Sequence, residues 1–260
     1  MNTRTSRARS LARIVGLATA ATAVWFAGAS LASTMAHQKV ISPLPLTQPV
    51  SRFDVPGLPG DLTITGSADG PHRLVQAVHT GLTAPDTTYS LADGLLVYHV
   101  EGCRWFDSRC GVDLTADVDM TSPVTASSTG GDMTATGLEG GLTLSSSAGD
   151  VTVRDSSGTM NLESSAGDVR AIDVAARSLV ARSSAGDVRV EFTQPPQLVS
   201  ADSSAGAVTI TLPQGEISYR VEADSSAGST NVSVRTDPRS TRVIRVSSSA
   251  GDVTVRYADS

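Results

Sequence analysis

Five aspartates stand at the same point of a recurring motif, and they are the side chains best placed to do chemistry. Each follows a glycine in sequences related to SSAGDV: Asp132, Asp150, Asp168, Asp187 and Asp252. If successive copies stack about 4.8 Å apart, the carboxylates form a column of like charges that hydrogen bonds or cations must offset. We expect each aspartate to cap its own turn through backbone N–H groups and to stay solvated.

A bound cation is the alternative explanation of this column. Calcium or another hard cation could bridge the carboxylates of adjacent copies. However, Ala207 and Ser229 interrupt the column, and the motif lacks the two glycines of calcium-binding β-roll repeats. We therefore predict no metal site and no cofactor.

Catalytic arrangements are poorly supported by the sequence. Carboxylates two copies apart would lie about 9.6 Å from each other, a separation that inverting glycosidases use, but any such column produces it. The four histidines all precede the repeats, and neither a Ser–His–Asp set nor a G-x-S-x-G motif can be placed. We predict that the protein is not an enzyme, and a polysaccharide-active solenoid enzyme is the least favoured alternative.

The two cysteines lie in the segment CRWFDSRC. In an exported protein, Cys103 and Cys110 are expected to form a disulfide across a hairpin loop. A zinc site would need more ligands than these, and a redox switch is the weaker functional alternative. Trp105, in the same loop, is expected to pack over the disulfide.

The aspartates belong to an internal repeat whose corner glycines are separated by 18, 18, 19, 20, 22 and 23 residues. These glycines are Gly131, Gly149, Gly167, Gly186, Gly206, Gly228 and Gly251. Positions seven and five before each glycine are apolar, as are most positions two and four after it. Two short strands per copy, joined at the glycine, predict an all-β, single-chain β-solenoid with 18–23 residues per coil.

The corner glycines are expected to be backbone requirements. Apolar positions are odd-numbered before the glycine and even-numbered after it, so the alternation of faces slips by one residue at the corner. A bulge or a left-handed turn produces such a slip, and glycine permits a positive φ there. We predict φ above zero at Gly167 and Gly186.

The solenoid repeats are assigned to residues 126–260, after an N-terminal β cap at 51–125. Gly60 fits the same frame as an eighth, divergent copy, with Phe53 and Val55 before it. Between Gly60 and Gly131, longer β-like runs surround the cysteine loop. A small separate sandwich is the alternative for this segment.

The N-terminal residues predict export. A basic segment, 1–13, precedes 23 uncharged residues at 14–36, enough for a transmembrane signal-anchor helix. A cleaved signal peptide is the alternative, because small residues stand at cleavage-site spacing near Ala29 and Ala32. Residues 37–50 contain three prolines and are expected to form an extended linker.

The exported part is acidic. Past Lys39 the chain has 15 Arg against all 26 Asp and Glu, and 15 − 26 gives a net charge of −11. Nucleic acids and anionic lipids bind basic patches, so neither is an expected partner.

The order of these features resembles the bacterial putative-adhesin family, a β-strand-repeat domain of exported proteins. The resemblance rests on GDLTITGS from Gly60, on GVDLTADVDMTSPVTASSTGGDMTATGL from Gly111 and on the SSAGDV repeats, so it covers residues 51–260. It implies an exported β-repeat domain and supplies no functional residues.

Two non-enzymatic functions fit these expectations. The first is an adhesin-like surface interaction module that binds through the second corner of each coil, where the span lengthens from six residues near Gly141 to eleven near Asp237. The second is a cell-envelope accessory or sensor that acts with a membrane partner. Expected partners are the cytoplasmic membrane, through the N-terminal helix, and a cell-envelope polymer or membrane protein. The expected location is a single-pass position in the cell membrane with the domain outside the cytoplasm, or secretion if the segment is cleaved.

Overall fold

The computed structural model describes residues 38–258, apart from 47, 69–71, 105–106 and 108. The basic segment 1–13 and the predicted hydrophobic helix at 14–36 lie outside the described residues. Regular secondary structure in the described part consists of strands. That part of the chain contains no helix long and apolar enough to cross a membrane.

Twenty strands form in the described residues. The first seven are β1 (Gln38–Leu44), β2 (Arg52–Leu58), β3 (Leu62–Ser67), β4 (Arg73–Thr80), β5 (Asp86–Ala92), β6 (Leu95–Glu101) and β7 (Gly111–Asp119). The next seven are β8 (Val124–Ser128), β9 (Met133–Thr136), β10 (Leu142–Ser146), β11 (Val151–Arg154), β12 (Ser157–Ser164), β13 (Val169–Ala185) and β14 (Val188–Phe192). The last six are β15 (Leu198–Ala205), β16 (Val208–Leu212), β17 (Arg220–Ser225), β18 (Thr230–Val232), β19 (Val243–Ala250) and β20 (Val253–Tyr257).

Strands before each corner glycine form a back sheet, and strands after it form a front sheet; both sheets are parallel through the repeats. In the back sheet Leu142 lies opposite Val124 and Met160. In the front sheet Val151 lies opposite Met133 and Val169. One back strand and one front strand make a layer, which we name after its corner residue. Equivalent repeat positions therefore stack on one another, and the apolar positions face a shared interior.

The layers do not stack in sequence order at the C-terminal end. Strand β19 lies between β15 and β17, and β20 lies between β16 and β18. The last layer in sequence, Gly251, is thus inserted between the Gly206 and Gly228 layers. The Gly228 layer is outermost.

The N-terminal end has the same kind of exchange. Strand β2 lies between β6 and β8, and β3 lies between β7 and β9. Strands β6 and β7 therefore form the outermost layer, with Val112 at its corner. The order of the nine layers in the described residues is Val112, Gly60, Gly131, Gly149, Gly167, Gly186, Gly206, Gly251 and Gly228. At about 4.8 Å per layer, the first and last lie about 38 Å apart.

Antiparallel strands close the N-terminal end. In the front sheet β4 pairs with β7 and β1, and in the back sheet β5 pairs with β6. The β5–β6 hairpin turns at Asp93 and Gly94, whose φ values of 51° and 75° suit a two-residue loop. One expectation is corrected here: the linker at 37–50 contains the paired edge strand β1. Segment 51–125 contains the predicted Gly60 copy and contributes two layers to the solenoid, so it does not form the separate sandwich that was the alternative.

The core runs between the two sheets through all layers. The three largest fully buried side chains, Tyr98, Phe53 and Tyr219, lie in the first two layers and the last one. The Tyr98 O–H donates to Gln76 Oε1 at 2.5 Å, and burial raises the pKa of Tyr98 to about 12. Between these ends mainly aliphatic side chains fill the interior, because the sheets turn tightly at the corners.

Candidate functional site: the corner column and the open end

The corner glycines stack into a column in which each layer touches the layer before it. A Cβ atom on Gly167 would lie 2.3 Å from the carbonyl oxygen of Gly149, and one on Gly186 would lie 2.3 Å from that of Gly167. Such distances are far below van der Waals contact, so any side chain would push neighbouring layers apart. The glycines are therefore required by the close approach of two backbones.

A positive φ, the reason that we predicted for the glycines, is found among the seven corners only at Gly206 and Gly251, with values of 156° and 153°. Neither Gly167 nor Gly186 has a positive φ. Val112 occupies the equivalent position in the first layer, where the preceding neighbour is Val78 of the antiparallel strand β4 and not another corner. In every later layer the Cβ direction points toward the preceding corner, and the described residues place no solenoid layer before Val112.

A serine three residues before each glycine links successive corners. The Ser146 Oγ donates to the Gly131 carbonyl at 3.1 Å, and the Ser164 Oγ donates to the Gly149 carbonyl at 2.8 Å. The same contact recurs with Ser128, Ser183, Ser203, Ser248 and Ser225. These hydroxyls are mostly buried. Each hydrogen bond therefore provides a partner for the buried hydroxyl and for a carbonyl oxygen inside the turn. Sequence analysis did not single out these serines.

The aspartates cap the next layer rather than their own turn, which corrects the expected geometry. The Asp168 N–H donates to Asp150 Oδ1 at 2.8 Å, and the Asp187 N–H donates to Asp168 Oδ1 at 2.7 Å. The chain of contacts begins at Asp113 and continues through Asp61, Asp132 and Asp187 to the amide of Ala207. Asp252 resumes it by accepting from the Ser229 N–H and Oγ, each at 2.8 Å.

This geometry explains one of the two interruptions. Ser229 lies in the last layer, where no further described layer presents an amide to cap, so a carboxylate is not needed. Nothing in the structure explains the alanine at 207.

Backbone donors and one arginine offset the charges of the column. The Asp168 N–H, more than the adjacent guanidinium of Arg170, lowers the pKa of Asp150 below its ordinary value. Arg170 pairs with Asp150 Oδ2 at 2.5 Å and also pairs with Asp168. The backbone and hydroxyl donors of Ser229 lower the pKa of Asp252. Among the described residues, no three His, Cys, Asp or Glu side chains are grouped to hold a metal ion.

Cys103 and Cys110 form a disulfide, with their Cα atoms 5.4 Å apart. The bridge closes the turn between β6 in the back sheet and β7 in the front sheet, so the loop is the corner of the Val112 layer and not an antiparallel hairpin. Asp107, inside this loop, is buried and accepts from the Thr83 N–H at 2.7 Å and the Thr83 Oγ1 at 2.8 Å. Sequence analysis missed Asp107; its position inside the cysteine loop was the available signal. Trp105 lies outside the described residues.

The outer faces of the sheets carry polar side chains in regular rows. On the front sheet, Thr63, Thr134 and Thr152 lie side by side, followed by Arg170 and Arg189. On the back sheet, Arg182 lies between Glu163 and Asp202, 3.1 Å and 3.9 Å away. These exposed ion pairs contribute little stability and leave a flat, solvated surface.

The lengthening of the second corners has a topological cause. The segment 213–219 carries the chain from the Gly206 layer past one layer position to the outermost layer, and 233–242 carries it back to the inserted Gly251 layer. Their length follows from skipping a layer. Our interpretation of these spans as variable binding corners therefore loses its main support.

The Gly228 layer leaves the C-terminal end of the solenoid open. Within the described residues, β17 pairs only with β19, and β18 pairs only with β20. Val221 and Ala223 are only partly buried against the core, and Val232 is 37% exposed. They line a cavity of about 350 Å³ together with Tyr219 and Pro238. The segment 235–237 pairs with the outer side of Tyr219, just before β17 begins. Beyond it the outer edges of β17 and β18 are unpaired in the described residues, and the end of the apolar interior is accessible there.

Together, the stacked layers, repeated corners and capped N-terminal end define a β-solenoid of two parallel sheets. The chain belongs to the Toastrack DUF4097 family, whose sequence model matches residues 24–256.

Solved structures are similar over most of the chain. The crystal structure of a putative adhesin from Bacteroides fragilis NCTC 9343 has a TM-score of 0.51 and 18% identity, and the match covers 85% of this chain and 97% of that one. A putative adhesin from Parabacteroides merdae ATCC 43184 has a TM-score of 0.45 and 12% identity, with coverages of 85% and 97%. A putative lipid binding protein from Parabacteroides distasonis ATCC 8503 has a TM-score of 0.46 and 9% identity, with the same coverages. No curated protein matches the chain. The first similarity supports the fold.

Proposed function

We propose that this protein is a non-catalytic, adhesin-like interaction module of the cell surface. Its N-terminal segment holds it at the cytoplasmic membrane, and the solenoid lies outside the cytoplasm. The contact surface is the open end formed by the Gly228 layer, and the partner is a component of the cell envelope or of an opposing surface.

The asymmetry of the two ends carries this proposal. Antiparallel strands cover the N-terminal end, whereas the Gly228 layer exposes backbone edges and apolar side chains. Solenoids need polar capping repeats to stay soluble, so an end without one suits a surface that binds a partner. The open end also lies about 38 Å from the Val112 layer, far from the point where residue 38 enters the fold.

Three further features support an extracytoplasmic surface module. The uncharged run 14–36 follows a basic segment, the Cys103–Cys110 bridge suits an oxidising compartment, and a protein of similar fold is named a putative adhesin.

The location is tested by protease treatment of spheroplasts that express the full chain with a C-terminal tag. We expect the tag to be digested while a cytoplasmic marker stays intact, and to be retained by the membrane fraction. A tag that stays protected together with the marker would overturn export, and a tag released into the medium would show that the N-terminal segment is cleaved.

The contact surface is tested by comparing binding of the full chain and its Ala223→Pro variant to isolated cell envelopes. Proline removes a backbone N–H at the open edge, so we expect the variant to bind less. Equal binding by both proteins would show that the open end is not the contact surface.

A further inference from the structure

We propose that the edge strand β1, together with its neighbour β4, contacts the surface of a phospholipid bilayer, with the long axis of the solenoid pointing away from the membrane. This inference rests on the proposed membrane anchoring by the segment 14–36, and it adds a second membrane contact that the folded domain makes. The contact lies at the end of the solenoid opposite to the Gly228 layer.

Two consecutive residues of β1 have the most exposed large apolar side chains in the described part of the chain. Val40 is 56% exposed and Ile41 is 65% exposed. Successive side chains of a strand point to opposite faces, so both faces of β1 are apolar and exposed here. In the described residues β1 pairs with β4 alone, which leaves its other edge uncovered. Leu82, also exposed, follows two residues after Thr80, the partner of Gln38 at the start of β1.

The outer face of the front sheet is also apolar on these two strands. Ile41 lies opposite Ala77, and Pro43 lies opposite Val75. Ala77 in turn lies opposite Asp113 of β7, whose side chain is on the outer face. In the repeats the outward rows of the same sheet carry threonine and arginine, as described above. The apolar patch is therefore local to the strands nearest to the point where the chain enters the fold.

The position of β1 in the chain indicates what covers this patch. Residue 37 alone separates the uncharged run 14–36 from Gln38, where β1 begins. Gln38 therefore lies at most about 7 Å from residue 36, a distance close to the thickness of one headgroup layer. On the proposed anchoring, β1 starts at the bilayer surface, where apolar side chains can enter the boundary between headgroups and acyl chains.

The charges and the backbone of β1 suit lipid better than a further β-strand. Lys39 Nζ lies 3.6 Å from Asp113 Oδ2, and His79 Nε2 lies 2.7 Å from the same oxygen. A carboxylate thus offsets the lysine of β1, and the contact does not depend on anionic lipid. Pro43 lacks a backbone N–H, which makes β1 a poor edge for strand addition. The side chains therefore provide the contact.

This arrangement also orients the open end. The front sheet continues from β7 through β4 to β1, so β1 lies two strand positions beyond the Val112 layer. At about 4.8 Å per strand, β1 and the Gly228 layer are about 48 Å apart along the solenoid. With β1 on the bilayer, the open end points away from the membrane, where a component of the envelope or of an opposing surface can reach it.

Fluorescence quenching by lipid tests the contact. Cys103 and Cys110 are bonded to each other, so a single introduced cysteine can be labelled selectively with the dye NBD. Full chains carrying Ile41→Cys or Val232→Cys are labelled and reconstituted into phosphatidylcholine vesicles that contain nitroxide groups on the acyl chains. Val232 is the matched control, because it is an exposed strand residue at the opposite end. We expect the nitroxide to reduce emission at position 41 by about two-fold or more and to leave emission at position 232 unchanged. Equal quenching at the two positions would overturn the proposal.

A second comparison tests whether the native side chains, rather than the dye, make the contact. The label is placed at Leu82→Cys, and Val40→Asp is combined with Ile41→Asp. We expect these two changes to abolish quenching at position 82 while the thermal unfolding transition is retained, because both side chains are exposed. Asn231→Asp with Val232→Asp, two consecutive exposed residues of β18, should leave the quenching unchanged. Quenching at position 82 that survives the changes in β1 would contradict the proposal.

Flotation of the same vesicles separates this inference from the proposed function. If the full chain floats with the vesicles and position 41 is not quenched, the anchoring stands and only this inference fails. If the chain does not float, the proposed anchoring fails, and the membrane contact of β1 fails with it. Flotation with quenching at position 41 alone supports both.

Discussion

At the residue scale, the corner is built from three side-chain choices with different physical causes. Glycine is needed because adjacent corners touch, serine because each buried carbonyl needs a donor, and aspartate because the next layer presents an amide. The ends of the stack support these assignments, since Val112 replaces glycine in the first layer and Ser229 replaces aspartate in the last. The column is therefore a stacking device between layers, and it gives the following expectations.

The substitution Gly167→Ala should destabilise the fold by about 2–3 kcal/mol, because the new Cβ meets the Gly149 carbonyl at 2.3 Å. Gly130→Ala is the matched control, since a Cβ at Gly130 meets nothing within 4 Å, and it should change stability by less than about 0.5 kcal/mol. Urea unfolding measures both. Equal stabilities would show that the layers separate freely at the corner.

The substitution Asp187→Ala should cost about 1 kcal/mol, because it removes the acceptor of the Ala207 amide. Asp187→Asn keeps an oxygen at the same place and should cost less than about 0.5 kcal/mol. Thermal melts with calcium and with a chelator provide the second comparison. We expect neither condition to alter the wild-type melt; a loss of stability in chelator that Asp187→Asn abolishes would establish cation binding instead.

Stability should fall at acid pH because the pKa values of Asp150 and Asp252 are lowered in the folded state. The unfolded chain, with aspartate pKa values near about 3.9, takes up protons first as the pH falls. The stabilisation is therefore present above about pH 4 and is lost as the pH drops through the folded pKa values. Urea unfolding between neutral pH and about pH 3 measures this. The variant Asp150→Asn should lose less free energy of unfolding over this pH range than the wild type. An equal loss in both proteins would contradict the assignment.

At the element scale, the disulfide fixes the only layer in the described residues that has layer contacts on one side and antiparallel strands on the other. It ties the end of β6 to the start of β7, and Asp107 ties the same turn to Thr83. The sequence predicted the bridge, but it did not predict that the loop is a solenoid corner, because β6 and β7 pair in different sheets.

Replacing both cysteines by serine should destabilise the Val112 layer by about 2–3 kcal/mol, the value expected for a short cross-linked loop. Hydrogen exchange should rise in β6 and β7 and stay unchanged in β13–β16, which lie several layers away. Uniformly increased exchange would mean that the bridge stabilises the whole solenoid. Alkylation of native protein before mass analysis should label neither cysteine.

At the scale of the whole molecule, the first and last layers in sequence order each lie one position inside the stack. The Gly60 and Gly251 layers each have a neighbour on both sides, so the first and last layers in sequence are not the ones exposed at the ends of the stack. A terminal coil that pairs on both edges cannot fray by itself. Unfolding of the Gly60 or the Gly251 layer must therefore disrupt its neighbouring layers as well.

Deletion of 243–260 should disorder more of the molecule than its length suggests, because β17 and β18 pair only with strands of the deleted layer. We expect loss of hydrogen-exchange protection across 213–242 as well. Deletion of 216–240 is the control: it removes the outermost layer and leaves five residues between Leu212 and Val243, as between Phe192 and Leu198. The control should keep protection in β19 and β20 despite its greater length. Retained protection of β17 after the C-terminal deletion would contradict the layer order.

The sequence by itself determined the local unit of this protein: the period, the apolar positions, the two-strand coil, the corner glycines and the cysteine pair. These follow from alternation and turn chemistry, which act over a few residues. Only the tertiary structure decided why the corners need glycine, which amide each aspartate caps, and in what order the layers stack. The physical reason is that every layer offers nearly the same apolar positions and the same edge hydrogen bonds to its neighbours. Local pattern therefore cannot say whether Gly206 is followed in space by Gly228 or by Gly251, and the open end, with its candidate site, depends on that order.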